Sequence, residues 1–320
     1  MTRRLPVFIL GGSDLRPGAV PPGLSREQML TGYKGLLPLP GGCPLAGELI
    51  TRLRSSGRFL EPRLVGPREV YEGCVDCEIL DARGSLATTL ATLAAVLAAE
   101  AEEGPVAVCT CDVLPTSEEL REIIDGEFEP YSECRFWWQF IVAVPEELGP
   151  SGWKPHYTIR PTPDAAPLIV YPGHLVIFRP PAVRLELLIH LLSLAYRHRN
   201  LPLRRRVLPM LVRGLGELVR QDFRNLRRGQ FPLLSFSIPW HLWSAYRQMQ
   251  RGTLTVAGLE AHAAKVLLHR ESRSGPRPVV ISLSRVLSLA QDIDSRAELE
   301  AAIARGGFST TYGSSATSST

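Results

Sequence analysis

Two stretches of the sequence carry residue types that could do chemistry together. The first, "PVFILGGSDLRPG" at residues 6–18, runs four apolar residues straight into two glycines, a serine, an aspartate and, after Leu15, an arginine. The apolar run reads as a short buried strand. Glycines at its end let the backbone turn sharply and come close to another group, which is how many nucleotide sites begin. The second, "VAVCTCDVLPT" at residues 106–116, is another apolar run, and it ends at Asp112. In an open α/β sheet ligands gather beyond the carboxyl ends of the strands, so the glycine loop and Asp112 are expected on the same edge. The cysteines offer less. Cys74 and Cys77 have the spacing of half a zinc site, but no second pair or Cys/His partner stands at matching spacing, so free thiols are expected at all six positions. No Ser/His/Asp or Cys/His set suggests a side-chain nucleophile.

The elements around these stretches alternate. After the strand at 6–10 come a helix at 44–56, strands at 63–65 and 78–80, an Ala/Leu-rich helix at 85–101 and the strand at 106–110. Ser117 is the expected cap of the next helix, with Glu118 and Glu119 in its first turn, where acids suit the helix dipole. Strands separated by helices indicate a parallel sheet with right-handed crossovers. Further on, strands are expected at 136–144, 168–170, 175–178 and 278–283, with a helix at 296–304. The 320 residues are 45% hydrophobic and 21% charged, ample for a packed core. No apolar run approaches the roughly 18 to 20 residues needed to cross a bilayer. The apolar stretch behind Arg3 and Arg4 is too short for a secretory signal, so cytoplasmic residence is expected. Residues 309–320 lack the apolar area to order themselves and are expected to form a loose tail.

Four pieces in chain order carry a family likeness. They are "LGGSDLR" (10–16) followed by "GYKGLLPLPGG" (32–42), "ARGSLATTLATLAAVL" (82–97), "VAVCTCDVLPT", and "LSLAQDIDSRAELEAAIARGG" (287–307). Together they resemble the nucleotidyltransferases of the glycosyltransferase-A-like fold, the group that includes sugar-1-phosphate and molybdenum-cofactor nucleotidylyltransferases. The resemblance implies a Rossmann-like α/β fold, a mixed and mainly parallel sheet flanked by helices, with a helical insert. It implies that Leu10, Gly11, Gly12 and Ser13 cradle a triphosphate through backbone N–H groups, that Arg16 and Lys34 place positive charge on the transferring phosphoryl group, and that Gly84 and Ser85 contact base or ribose. Asp112 and Asp294, with Asp292 as the alternate to Asp294, would hold Mg²⁺, and Ser295 or Asp294 with Glu298 would cap the final helix. The stretch "YPGHLVIFRPP" (171–181) is similar to the family's strand lining the acceptor pocket, with His174 in the place of an asparagine. Upstream, Lys154, Tyr157 and Arg160 suit an anionic acceptor. The chain departs from the pattern at Ser13-Asp14, which sets an acid near phosphate, and at Tyr33, which stands for a proline.

The activity implied is Mg²⁺-dependent transfer of a nucleoside monophosphate from a nucleoside triphosphate to a phosphorylated small molecule, with release of pyrophosphate. A glycosyltransferase using a nucleotide sugar, and a non-catalytic binding or scaffold protein that keeps the fold, are the alternatives. The expected organisation is an α/β unit from residues 1–180 and 271–308, interrupted by a basic, mainly helical insert at 181–270. No nucleic-acid partner is expected. The arginines of the insert suit an acidic partner, an anionic membrane surface or a neighbouring copy in an oligomer, or else are solvated while the apolar face packs inward.

Overall fold

The computed structural model describes residues 4–12, 25, 27, 29–83, 86–100, 103–148, 156–198, 203–227 and 234–304. The first strand, β1 (Val7–Leu10), is buried along its whole length. Apolar residues at every position are the mark of a strand covered on both faces. Val7 and Ile9 join one apolar cluster with Leu49, Ile50 and Leu53 of helix α1 (Leu45–Ser56), while Phe8 and Leu10 join another with Leu93 and Leu97 of helix α3 (Leu86–Ala99). Between them come β2 (Arg63–Gly66), the short helix α2 (Arg68–Tyr71) and β3 (Glu78–Asp81), and β4 (Val106–Thr110) follows α3. These four strands pair in parallel in the order β3-β2-β1-β4, each crossover carrying a helix.

After helix α4 (Ser117–Glu122) the sheet becomes mixed. Strand β5 (Phe136–Val142) lies two places beyond β4, β6 (Tyr157–Ile159) is a short side strand, and β7 (Leu168–Phe178) runs antiparallel between β4 and β5. Four helices follow: α5 (Leu185–His198), α6 (Leu203–Arg227), α7 (Leu234–Gln250) and α8 (Val256–Leu267). The chain then returns to the sheet as β8 (Val279–Ser284), parallel to β5, and ends its described part with α9 (Arg296–Ala304). The order is β3-β2-β1-β4-β7-β5-β8. Among the described residues no helix is long and apolar enough to cross a membrane.

Three details differ from the sequence expectations. The cap of α4 is Thr116, one residue earlier than Ser117: its hydroxyl accepts from the Glu119 N–H while the Glu119 carboxylate accepts from the Thr116 N–H, a reciprocal box that Ser117 cannot form. The stretches at 168–170 and 175–178 are one strand. Pro172 lacks a donor and Gly173 lacks a side chain, yet β7 passes through both because β5 shifts register there, between Trp138 and Phe140. The Trp138 indole N–H donates to the Gly173 carbonyl at 2.8 Å, which ties the bulge down. His174 therefore lies within a strand, where a loop was expected.

A Cβ on Gly173 would stand 2.9 Å from the Gln139 carbonyl oxygen, a backbone atom that cannot yield cheaply. Gly173→Ala is therefore expected to cost about 1–3 kcal/mol in denaturant unfolding. Gly126→Ala, at a position with nothing within 4 Å, serves as the control and should change stability by less than about 1 kcal/mol.

Candidate active site

Asp112 is the second residue beyond β4. The Cys111 N–H still donates to the Leu10 carbonyl at 3.2 Å, and the Asp112 carbonyl accepts from the Ile293 N–H at 2.8 Å. That single bond joins the end of β4 to the segment before α9. The Ile293 side chain is buried with Leu39, Leu45 and Ala302, which anchors the segment from its apolar side. Its two neighbours, Asp292 and Asp294, send carboxylates toward Asp112, and oxygens of all three lie within 4.8 Å of one another.

Asp294 is held twice more through its backbone. Its carbonyl accepts from the Leu30 N–H at 2.9 Å, and its N–H donates to Glu298 Oε2 at 2.9 Å. The same oxygen accepts from the Ser295 N–H (2.8 Å) and hydroxyl (2.9 Å), while the Glu298 N–H donates back to Ser295 Oγ at 3.3 Å. The expected capping box of α9 is thus present, and it also sets the position of Asp294.

Lys34 opens a short 3-10 turn (Lys34–Leu36) and reaches across this cluster. Its ammonium lies 3.3 Å from Asp112 Oδ2 and also bonds Asp294 Oδ1. Gly35 lets the turn sit this deep, since a Cβ there would meet the Tyr71 hydroxyl at 2.9 Å. Burial works against the charge on Lys34, but Asp112 and Asp294 more than offset it and its pKa is raised. Burial also works against ionisation of Asp112, where Lys34 and His174 prevail and hold the carboxyl below its ordinary value. At Asp294 the balance reverses: burial and the Asp292 charge outweigh Lys34 and push the pKa up to about 6. Three carboxylates against one ammonium leave negative charge in excess, and Asp112 Oδ1 is buried without a hydrogen-bond partner. Clustered hard oxygen ligands of this kind fit a divalent cation such as Mg²⁺.

His174 stands beside the cluster. Its Nδ1 is 2.9 Å from Thr110 Oγ1 and its Nε2 is 4.0 Å from Asp292 Oδ1. The expectation for His174 was acceptor contact; its neighbours here are the strand end of β4 and the carboxylates. Thr110 was not singled out from the sequence, although its signal was there: it is the one polar residue in an otherwise apolar strand, at the end that carries Asp112.

At Gly11 the structure differs from the expectation. The Gly11 N–H donates to the Val65 carbonyl at 2.9 Å and its carbonyl accepts from the Tyr71 hydroxyl at 3.0 Å, so both backbone groups are spent inside the protein. What requires glycine is packing: a Cβ would press on the Tyr71 ring at 3.0 Å. Leu10 is buried in the core, and its carbonyl serves the sheet. Gly12 is the last described residue of the loop. Ser13, Arg16, Gly84, Ser85 and Lys154 lie outside the described residues. Arg160 is also corrected, because its guanidinium donates to the carbonyls of Gly252 (2.6 Å) and Ala165 (2.8 Å) and ties β6 to the turn before α8. Tyr157 is exposed on β6 against Phe140. The six cysteines are all free, with Cys74 exposed and Cys77 half-buried, and among the described residues the acidic cluster alone has metal-ligand geometry.

No family model matches the chain, and no curated protein does. Solved structures do. A hypothetical transferase from Thermus thermophilus superposes over 93% of this chain and all of its own, at 20% identity and a TM-score of 0.54. The chain shares the fold of that transferase. Looser likenesses, with TM-scores of 0.47 and 0.42, are to a CMP:2-keto-3-deoxy-manno-octonic acid synthetase complexed with CTP (12% identity, 95% of this chain and 98% of that one) and to a mannose-1-phosphate geranyltransferase, also from Thermus thermophilus (16% identity, 89% and 75%).

The buried Glu298 carboxylate serves three donors with one oxygen. Glu298→Ala is expected to cost about 1–3 kcal/mol in urea unfolding followed by tryptophan fluorescence. Glu298→Gln keeps an acceptor oxygen and should lose less than half of that.

Proposed function

We propose that this chain is a Mg²⁺-dependent nucleotidyltransferase that moves a nucleoside monophosphate from a nucleoside triphosphate onto a phosphorylated small molecule, such as a sugar phosphate. The observation that carries the reading is the cluster of Asp112, Asp292 and Asp294 around the Lys34 ammonium, at the carboxyl edge of the parallel strands. The likeness of fold to a transferase structure supports it.

In this reading an oxygen of the acceptor phosphate forms a bond to the α-phosphorus of the triphosphate as the bond to pyrophosphate breaks. The acceptor is already anionic, so the protein supplies no nucleophile. Its work is position and charge. Asp112, Asp292 and Asp294 would hold the divalent ion, which when bound contributes positive charge to the phosphate oxygens. Lys34, which lies against Asp112 and Asp294, would bring a cation to the excess charge of the transferring group. Arg16, beyond the glycine loop, is proposed to add a second. His174 fixes the wall next to Asp292. Residues 1–180 and 271–308 would form the catalytic unit and 181–270 an insert, in a cytoplasmic protein.

Incubation with each of the four common triphosphates and magnesium, read by thermal shift and by pyrophosphate release in the presence of sugar phosphates, tests this reading. One triphosphate is expected to raise the melting temperature in a magnesium-dependent way, and chelation should abolish the gain. Asp112→Asn is expected to lower pyrophosphate release by about 10²-fold or more. Asp292→Asn should lose the magnesium-dependent shift in the same thermal assay. A chain that neither binds a triphosphate nor responds to magnesium would end the proposal.

A further inference from the structure

Over its described side chains, residues 213–227, helix α6 uses only part of its circumference to pack. Leu218 is buried with Leu187, Ile238 and Val266 of the neighbouring helices. At 3.6 residues per turn, Leu215, Val219, Phe223 and Leu226 form a second apolar stripe beside that buried one, and all four are exposed, Phe223 by 62%. The next sector carries Arg220, Arg224 and Arg227. Between stripe and arginines lies an open depression in the surface of α6, bordered by Gly216, Val219, Arg220, Phe223, Arg224 and Arg227.

The charge on this surface is one-sided. Among the described side chains of helix α6, residues 213–227, are four arginines and two acids. Asp222 is buried and accepts from the N–H groups of Leu234 and Ser235, so it serves the start of α7. Glu217 is 3.5 Å from Arg220. Helix α7 has no acid at all, and it exposes Phe236 (70%), Trp240, Trp243 and Tyr246, with Phe236 and Trp240 stacked and the Arg247 guanidinium over Trp243.

We propose that the exposed faces of α6 and α7 dock this protein on the surface of an anionic lipid bilayer. Guanidinium groups pair with phosphate headgroups in forked geometry, an apolar stripe beside them enters the headgroup boundary, and tryptophan and tyrosine favour that boundary because one part of the ring is apolar and another polar. Arg220, Arg224 and Arg227 border the same depression as Val219 and Phe223, a pairing of charge and apolar surface that suits phosphate headgroups and the start of their acyl chains. A second copy of the chain fits worse. A two-fold contact through this patch would set arginine against arginine, and among the described residues of α6 and α7 both acids are already engaged. None of these residues belongs to the acidic cluster, so the proposal stands apart from the nucleotidyltransferase reading.

Flotation of the full chain with phosphatidylcholine vesicles, alone or mixed with phosphatidylglycerol, tests the surface. Binding is expected only to the mixed vesicles and should weaken as salt rises. Acyl chains carrying bromine should quench tryptophan fluorescence, and the quenching should be lost in Trp240→Ser/Trp243→Ser. The triple variant Arg220→Glu/Arg224→Glu/Arg227→Glu is expected to bind at least about 100-fold more weakly. Circular dichroism and the melting temperature confirm that each variant is folded; should the triple variant not fold, Phe223→Ser must weaken binding in its place. Failure to float with mixed vesicles overturns the proposal. So does binding that folded variants leave unchanged, or a dimer in sedimentation that the tryptophan variants dissociate.

Discussion

The hydrogen bond from the Ile293 N–H to the Asp112 carbonyl is the contact on which the candidate site depends. It joins a segment near the end of the described chain to the carboxyl end of a central strand, and in doing so brings two acids from one place to a third from another. Ile293 gives the bond its permanence, because the side chain between the two acids is buried among Leu39, Leu45 and Ala302. Burial of one aliphatic side chain contributes on the order of 1.5–3 kcal/mol, and the Lys34 ammonium between Asp112 and Asp294 offsets part of the repulsion among the carboxylates.

That repulsion is the cost the site carries. Three carboxylates face one ammonium, and the tension is visible in Asp294, whose pKa is pushed up to about 6 by burial and by Asp292. Fixed backbone bonds absorb it. Glu298 holds the Asp294 and Ser295 N–H groups, Leu30 holds the Asp294 carbonyl, and Gly35 allows Lys34 to approach close above Tyr71. Groups that would relax if left to themselves are thus held close together by the backbone around them.

The four helices between β7 and β8 meet a different demand. They cover one sheet face through residues such as Leu188 and Ala264, and Arg184 is buried between them with its guanidinium donating to the Lys265 and Val266 carbonyls. Burial, with Arg273 nearby, lowers the Arg184 pKa to about 10. Past that inner contact, the described side chains of α6 and α7 keep an apolar and basic exterior. The cluster and this exterior are built from different elements, so each can change without the other.

Strand runs, glycine punctuation and the helices α1, α3 and α9 were legible in the sequence because they depend on neighbours a few residues apart. So was the identity of the acids, since an aspartate at the end of a buried strand and a pair ahead of a capped helix stand out by type and place. The continuity of β7 was not legible: Pro172 and Gly173 read as a break, and only the bulge in β5 lets the strand pass. The task of Gly11 was hidden for the same reason, as Tyr71 and Val65 meet it from another strand and helix. Arg160 looked available to an anion until the turn near Gly252 supplied its carbonyls. Sequence by itself determined which groups could ionise, accept or bend. Tertiary structure decided which of them meet, because charge and hydrogen bonding act over a few ångströms of space and take no account of distance along the chain.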